Sequence, residues 1–222
     1  MKNFVTITPK VRSLIKRLLD IAISFSILTT LFLPFSVISL LIKVSDPGPV
    51  FYLGLRVGKN GKPFRMFKFR TMVVNASTIG GPNTPSDDPR ITKIGYYLRR
   101  LNIDELPQFI NVFKGDMSVV GPRPEVPEYV KLFSEREAQI LQVRPGITDL
   151  ATLWIRDEGS ILEGSPDPEK TYLEEIWPEK HRLALEYIDN QSILLDIKIM
   201  FLTFKSHLID RILQRLQTKR NS

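Results

Sequence analysis

The stretch "IAISFSILTTLFLPFSVISLLI", residues Ile21 to Ile42, decides how this chain is organised. It contains no charged residue. A helix needs roughly 20 apolar residues to cross a hydrocarbon core of about 30 Å, so the stretch is long enough to span one. It is also longer than the apolar region of a signal peptide, and the polar segment after Lys43 does not look like a cleavage site. We therefore predict that this segment stays in a membrane.

Two features favour a segment that enters the membrane and returns over one that crosses it. Pro34 lies inside the apolar run, where it removes a backbone hydrogen bond and bends a helix. Both flanks are rich in Lys and Arg, and the positive-inside rule keeps such flanks on the cytoplasmic face. A re-entrant helix that bends near Pro34 satisfies both flanks, and a kinked transmembrane anchor is the alternative.

Composition limits the chemistry of the rest. The 222 residues are 43% hydrophobic, which is enough to build a core. The chain has no cysteine and only two histidines, so disulfides, thiolate metal sites, a His-ligated zinc and a Ser-His-Asp triad are all disfavoured. A net charge of +7 suggests an anionic partner such as phosphate groups, lipid headgroups or nucleic acid.

The pattern after the apolar segment predicts an α/β chain that is mostly helical and membrane-associated, with one small β-hairpin. Asn60-Gly61 is a strong signal for a two-residue hairpin turn, and residues 75–90 are rich in Gly and Pro and predict a loop. Further helices are expected over Ile91–Leu101, from Leu106 or Pro107 to Phe113, over Glu128–Gln142, and from Glu179 to about Gln217. We divide the chain into a basic N-terminus with the membrane helix (1–44), a cytoplasmic catalytic domain (45–178) and a C-terminal amphipathic region (179–222).

The last region leaves two interpretations open. Residues 192–217 have an apolar face, with basic residues elsewhere on the helix. Such a helix could lie in the membrane interface, where its basic residues would meet anionic lipids, or it could pack on the rest of the protein. The basic residues concerned are Lys198, Lys205, Arg211 and Arg215.

Several cations in the central region are suited to phosphate. Arginine offers a planar fork that holds phosphate oxygens by two-point contacts. Arg123 is the strongest candidate, because Pro122 and Pro124 restrict its backbone and would hold its guanidinium in one direction. The other candidates are Lys68, Arg70, Arg99, Arg100 and Arg144.

Asp104 and Glu105 stand together among these cations. One interpretation is structural, because acids are favoured in the first turn of a helix and Asn102 with Glu105 has the spacing of a capping box. The other is functional, with one carboxylate acting as nucleophile or metal ligand and the second supporting it. Mg²⁺ fits such a site, because it binds through one or two carboxylates together with substrate phosphate oxygens.

Five motifs follow one another along the chain: "DPGPVFY", "RVGKNGKPFRMFKFRTM", "RITKIGYYLRR", "DELPQFINVFKGDMSVVGPRPE" and "RPGIT". With these motifs in this order, the chain resembles the bacterial sugar transferases, small membrane-bound polyprenyl-phosphate phosphoglycosyl transferases. The resemblance covers roughly Lys16 to Leu150.

The resemblance implies transfer of a sugar 1-phosphate from a UDP-sugar to polyprenyl phosphate, with release of UMP, at the cytoplasmic face of the bacterial inner membrane. It implies that Asp104 is the nucleophile carrying a covalent phosphosugar, with Mg²⁺ close by, and that Glu105 supports metal or proton handling. Arg99 and the Pro122-Arg123-Pro124 element match further family motifs, and Pro34 matches the bend of a re-entrant membrane helix.

The sequence departs from the family's pattern at Leu33, Gly54, Asn75 and Asp149, where Ser, Gln, an acid and Gly are frequent. These departures blur the substrate more than the reaction, and neither the sugar nor the glycan pathway can be chosen. A monomer or a homodimer would both be unsurprising. A non-catalytic membrane scaffold is the alternative function. Nucleic-acid binding is disfavoured, because no basic stripe is interleaved with aromatic residues.

Overall fold

The structure is a computed structural model that describes residues 8–80, 84–155 and 158–220, without the side chains of residues 9, 77 and 207–220. It is mostly helical, with two small sheets of two strands each. The helices are α1 (Pro9–Thr30), α2 (Phe32–Ser45), α3 (Ala76–Ile79), α4 (Lys93–Arg100), α5 (Gln108–Lys114), α6 (Pro127–Val130), α7 (Leu150–Trp154), α8 (Glu158–Leu162), α9 (Pro168–Thr171), α10 (Trp177–Asp189) and α11 (Ile193–Arg220). The strands are β1 (Phe51–Val57), β2 (Pro63–Phe69), β3 (Ser118–Val120) and β4 (Gly146–Thr148).

The apolar segment forms a bent pair, α1 and α2, which meet at an angle of 61°. Over the residues that the structure describes, neither helix alone is long and apolar enough to cross a membrane, although the two together are. The break falls at Leu31, whose φ of −90° and ψ of 5° leave the helical region. Its position follows from Pro34, which has no amide hydrogen to donate to Thr30 and whose ring clashes with that carbonyl. The bend predicted at Pro34 is therefore present.

Hydroxyl side chains inside this segment find partners within their own helix. The hydroxyls of Thr29 and Ser36, on the two sides of the bend, donate to the carbonyls of Phe25 and Phe32 at 2.9 Å each. Because a bonded hydroxyl costs less to place in an apolar medium, these residues are compatible with burial in lipid.

The predicted hairpin is present, with β1 and β2 antiparallel and Val57 paired with Pro63. Its connection, residues 58–62, is longer than the two-residue turn that we predicted. Asn60 and Gly61 lie at its tip with φ of 58° and 73°, which is why these two residue types were the signal.

The hairpin is joined to α5 by one side chain. Asn111 is fully buried, and its amide accepts from the backbone N–H of Phe67 at 2.9 Å and donates to the carbonyl of Arg65 at 2.8 Å. It thereby satisfies the outer edge of β2 as a third strand would. This contact fixes β2 against the helix that follows Asp104 and Glu105.

The helix predictions fared unevenly. Those at 91–101 and from 106 or 107 to 113 are confirmed by α4 and α5. The loop predicted at 75–90 contains the short helix α3. The single helix predicted over Glu128–Gln142 is wrong: α6 ends at Val130, and a 3₁₀ turn occupies Glu137–Gln142. The reason is a capping box, in which Ser134 and Glu137 exchange side-chain bonds to each other's backbone N–H and start a new turn.

The C-terminal helix is divided as well, because α10 ends at Asp189 and Ser192 caps the start of α11 by accepting from the Leu195 N–H at 3.1 Å. Ile199 of α11 is fully buried in the core, whereas Leu194 and Phe204 are 77% and 70% exposed. The first half of α11 therefore packs on the protein and still shows an apolar face. The predicted basic positions Arg211 and Arg215 lie outside the described side chains.

A parallel pair that we did not predict, β3 with β4, orders the centre of the fold. It depends on glycines, because a Cβ on Gly146 would lie 2.1 Å from the backbone nitrogen of Gly121. Asp20 of α1 is buried beneath it and accepts from the N–H of Val119 at 2.9 Å. The pair thus joins the N-terminal helix to the loop that carries Arg123.

Asn111→Leu tests whether this amide holds the hairpin. The change keeps the approximate volume but leaves the Phe67 N–H and the Arg65 carbonyl without their partner, at a cost of about 1–3 kcal/mol for each buried group. We expect a clearly lower midpoint of thermal unfolding, measured by circular dichroism in detergent. Asn190→Leu is the control, because the only described group that this exposed amide bonds to is the Glu186 carbonyl of the preceding helix turn. Equal midpoints for the two variants would contradict this role.

Candidate active site

Asp104 and Glu105 lie in a 3₁₀ turn, Ile103–Glu105, immediately before α5. Asn102 precedes the turn in the left-handed conformation, with φ of 53°, and its side chain makes no capping bond. The Glu105 carboxylate bonds to side chains of other segments instead. The capping interpretation of this pair therefore does not describe the structure.

Glu105 is held by two cations from different parts of the chain. Its Oε1 accepts from Lys68 Nζ of β2 and from Arg123 Nη2, each at 2.7 Å. Burial alone would raise the pKa of Glu105, but the ion pairs with Arg123 and Lys68 outweigh it and hold the pKa well below its usual range. Glu105 is therefore a permanent anion that orients both cations.

Asp104 is in a different electrostatic state. Its side chain is buried, and among the described residues no cation lies within ion-pair distance of it. Burial raises the pKa of Asp104 to about 6; the neighbouring Glu105 adds to the rise, while Lys68 and Arg99 oppose it at longer range. A pKa of about 6 leaves this carboxylate mostly ionised at pH 7, and no described residue forms an ion pair with it.

Arg123 is held by one contact to its backbone and one to its guanidinium. Its N–H donates to the carboxylate of Asp149 at 3.2 Å, and its Nη1 donates to the carbonyl of Ile147 at 2.8 Å. Asp149 also caps α7 by accepting from the Thr152 N–H at 2.7 Å. Asp149, one of the family departures, is thus part of the support for Arg123.

A buried charge network lies behind this loop. Lys180 of α10 contacts Glu125, next to Pro124, at 3.0 Å, and Glu158 at 3.2 Å. The Tyr172 hydroxyl accepts from Lys180 at 3.0 Å and donates to Glu125 at 3.1 Å. Sequence reasoning missed this network, because residues so far apart in the chain give no local signal.

The predicted cations separate into two groups. Lys68, Arg99 and Arg123 surround the two acids, with Arg99 Nε donating to the hydroxyl of Thr71 at 3.0 Å. Arg70 is instead buried against Asp46, with 3.1 Å between Nη1 and Oδ2, at the exit from α2. Arg144 donates to the carbonyl of Gly115 at 2.9 Å and lines a different cavity.

Gln108 is a second residue that sequence reasoning missed. It follows the two acids at the start of α5 and is completely buried, yet neither amide atom bonds to the described residues. A buried polar side chain without a partner costs free energy, so such a group indicates a place where a ligand could bond. The available signal for burial of Gln108 was its position between Pro107 and the apolar residues Phe109 and Ile110.

The other departures lie apart from these contacts. Asn75 adopts the left-handed conformation, with φ of 63°, at the start of α3. Gly54 lies in β1 beneath the ring of Tyr52, where a Cβ would come within 2.9 Å of that ring. Leu33 is 71% exposed next to the bend. None of the three bonds to Asp104 or Glu105.

At this site the described residues offer a metal ion two carboxylates. The described residues contain no group of three or more His, Asp or Glu side chains that could hold an ion. Asp104 and the second oxygen of Glu105, Oε2, take no hydrogen bond from any other described side chain. Oxygens from two carboxylates, which need further oxygens from a bound ligand to complete the coordination shell, fit Mg²⁺ and do not fit a closed structural site.

Comparison with known proteins gives consistent results. The chain is 37% identical over 204 residues to a protein named uncharacterized sugar transferase EpsL of Bacillus subtilis (strain 168), covering 91% of each chain. It is 39% identical over 198 residues to the UDP-glucose:undecaprenyl-phosphate glucose-1-phosphate transferase of Escherichia coli (strain K12). It is also 39% identical over 198 residues to the UDP-N-acetylgalactosamine-undecaprenyl-phosphate N-acetylgalactosaminephosphotransferase of Aeromonas hydrophila.

These relatives differ in length. The matches to the Escherichia coli and Aeromonas proteins include 87% and 86% of this chain. They include only 40% and 43% of the length of those two proteins. The family profile described as "Bacterial sugar transferase" matches residues 11–210, which include most of the bent pair, the hairpin, both acids and Arg123. The chain therefore belongs to the bacterial sugar transferase family.

Proposed function

We propose that this chain transfers a sugar 1-phosphate from a UDP-sugar to polyprenyl (undecaprenyl) phosphate and releases UMP, in the first membrane step of polysaccharide or glycoconjugate synthesis. The observation that carries the proposal is the contrast between the two acids. Asp104 is buried, has a pKa of about 6 and has no ion pair among the described residues, whereas Glu105 is paired with both Lys68 and Arg123. The names of the Escherichia coli and Aeromonas relatives describe this class of reaction.

The reaction would proceed by two displacements. An Asp104 oxygen attacks the β-phosphorus of the UDP-sugar, a bond forms between them, and the bond from this phosphorus to the bridging oxygen breaks, so that UMP leaves with the electron pair. A phosphate oxygen of polyprenyl phosphate then attacks the same phosphorus and the Asp104 carboxylate is regenerated. Two anionic substrates thus never have to react directly with each other.

The cations around the acids have separate roles in this scheme. Lys68 and Arg123 are oriented by Glu105 and would bind the phosphoryl oxygens on which charge develops, which is where most catalysis of phosphoryl transfer originates. Lys68 and, to a smaller extent, Arg99 favour the charged form of Asp104, because they lower its pKa against the larger effect of burial. Mg²⁺, held by Asp104 and Glu105 together with substrate oxygens, would supply further charge neutralisation when bound.

The bent pair supports the part of the proposal that concerns the membrane. We infer that α1 and α2 enter the bilayer as a re-entrant helix and leave the catalytic part on the cytoplasmic face of the inner membrane. Phe32, Leu33 and Val44 are each more than 70% exposed, which suits contact with lipid. A groove of about 450 Å³ between α1 and α5, lined by Phe25, Leu28, Thr29, Phe32 and Phe113, is apolar enough for the isoprenoid units of the acceptor.

Asp104→Asn should abolish transfer. The amide cannot form the acyl phosphate, so we expect UMP release to fall by at least about a thousandfold. The measurement is UMP release by purified protein with Mg²⁺ and polyprenyl phosphate, across UDP-linked galactose, glucose, N-acetylhexosamines and diamino sugars. The Asp189→Asn variant, which changes an exposed aspartate paired with Arg136, is the matched control.

A second readout isolates the first displacement. Without the lipid acceptor, intact mass should show one phosphosugar added to the parent chain and none on Asp104→Asn. Turnover retained by this variant would overturn the covalent mechanism. No UMP release by folded parent protein with any of these donors would favour the non-catalytic scaffold.

Asp104 should titrate at about pH 6 in protein free of divalent cations. Burial disfavours its charge, so the protonated acid persists to higher pH than in an exposed aspartate, and the carboxylate dominates only above that value. We expect Lys68→Gln to raise this pKa further, because the Lys68 charge lowers it, and the exposed Lys62→Gln to leave it unchanged. The ¹³C chemical shift of labelled aspartate, assigned with Asp104→Asn, measures it. An ordinary aspartate pKa would refute the assigned environment.

Single cysteines test re-entry, since the parent chain has none. Lys10→Cys, before the apolar segment, and Lys62→Cys, after it, should both react with an impermeant maleimide from the cytoplasmic face in inverted membrane vesicles. Labelling of the two from opposite faces would show a single crossing. Pro34→Leu restores the missing backbone donor, so with it we expect part of the Lys10→Cys signal to move to the other face.

A further inference from the structure

A second polar cavity, of about 190 Å³, lies between α1, the tip of the β1–β2 hairpin, the segment before β4 and the start of α11. Its lining includes neither Asp104, Glu105, Lys68 nor Arg123, so it is separate from the candidate active site. Five cations and two carboxylates line it, which leaves an excess of three positive charges: Arg12, Lys16, Arg17, Lys59 and Arg144, with Asp20 and Asp196.

The two acids do not neutralise this charge. Asp20 is buried and accepts from the backbone and the hydroxyl of β3 residues, at 2.9 and 3.1 Å. Asp196 is also buried; it pairs with Lys16 at 2.7 Å and accepts from the hydroxyl of Tyr187. Among the described residues, Lys16 therefore has a carboxylate within ion-pair distance and the other four cations do not.

The arginines are oriented by backbone carbonyls instead. Arg17 donates to the carbonyls of Val112 and Phe113 at 2.7 and 3.0 Å, and Arg144 donates to that of Gly115. All three carbonyls are at the C-terminal end of α5, where a cation is favoured. A helix end is equivalent to about half an elementary charge, so it offsets only a part of two guanidinium charges. Consistent with this, burial and the neighbouring Arg144 lower the pKa of Arg17.

Donors without partners remain in the same lining. The described residues provide no hydrogen bond to the Lys59 ammonium, to the Ser13 hydroxyl or to the Gln142 amide, and Arg144 uses only its Nε. A cavity with excess positive charge, a free guanidinium fork and neutral donors has the features that recognise a phosphate group.

We propose that this cavity binds a phosphate-type oxyanion, a phosphomonoester or phosphodiester group, through Arg144 and Lys59. At roughly 30 Å³ for each water it has room for about six, which suits a phosphate with a small substituent and is too small for a nucleotide. The ligand could be a phospholipid headgroup or a soluble phosphorylated molecule, which share this chemistry. On α1, Arg12 and Lys16 lie opposite the exposed Leu14 and Leu18, so the cavity and an apolar face are on different sides of one helix.

The test compares two pairs of substitutions that remove equal charge. Lys59→Gln with Arg144→Gln removes the proposed contacts, whereas Lys62→Gln with Arg65→Gln removes two exposed cations of the same hairpin that do not line the cavity. Purified full-length protein in detergent is titrated with glycerol 1-phosphate by calorimetry. In a second arm, the protein in phosphatidylcholine nanodiscs is compared with protein in nanodiscs that also contain phosphatidic acid, by native mass spectrometry of retained lipid.

We expect the double variant Lys59→Gln with Arg144→Gln to weaken binding about tenfold or more. The double variant Lys62→Gln with Arg65→Gln should leave binding nearly unchanged. Binding should persist in Arg123→Gln, which removes a cation of the candidate active site and so separates the two phosphate sites. Lys59→Gln alone, in an exposed turn, should weaken binding without affecting folding. If Lys59→Gln with Arg144→Gln weakens the binding of glycerol 1-phosphate in calorimetry, the ligand is a soluble phosphorylated molecule. If it weakens only the retention of phosphatidic acid in nanodiscs, the ligand is a lipid headgroup. Equal ligand binding by the two double variants in both arms would overturn the proposal.

Discussion

The Glu105 carboxylate is the charge on which the candidate active site depends. It joins β2, through Lys68, to the loop between β3 and α6, through Arg123, at 2.7 Å each. These three charged side chains are partly buried, so removal of one partner would leave a charge that is only incompletely solvated and no longer compensated. The adjacent Asp104 has no ion pair within the part of the chain that the structure describes, so one acid organises the site and the other remains available for chemistry.

The remaining fold brings these three segments to one place. Asn111 fixes β2 against α5, and Asp20 fixes α1 under β3. Asp149 and Ile147 hold the backbone and guanidinium of Arg123, and Lys180 with Glu125 supports the loop from behind. Most of these contacts use a buried polar side chain to satisfy a backbone group or a charge. The site is therefore built from directional bonds as well as apolar packing, which suits a reaction that requires fixed phosphate positions.

Local signals predicted much of this chain. Asn60-Gly61 marked the hairpin, Pro34 marked the bend, and periodicity located α4 and α5. Two helices were predicted too long. The apolar pattern continues through positions where the hydroxyls of Ser134 and Ser192 cap the start of a new helical segment. Among the cations, Lys68, Arg99 and Arg123 do surround the acids, whereas Arg70 is bound to Asp46 and Arg144 lines another cavity. Residue type alone could not separate these groups, because all five have the same charge.

By itself, the sequence determined the apolar segment with its bend, the hairpin, the pair of acids and the family to which the chain belongs. These features rest on hydrophobicity, backbone restriction and motif spacing, which are local properties. The tertiary structure alone decided which acid is neutralised and which arginines share the site. It also decided that Lys180 pairs with Glu125, that the buried Gln108 amide has no partner among the described residues, and that a second, basic cavity is present. Those outcomes depend on distances between segments far apart in the chain. A pKa or an ion pair is set by such distances and by burial, and neither can be read from spacing along the sequence.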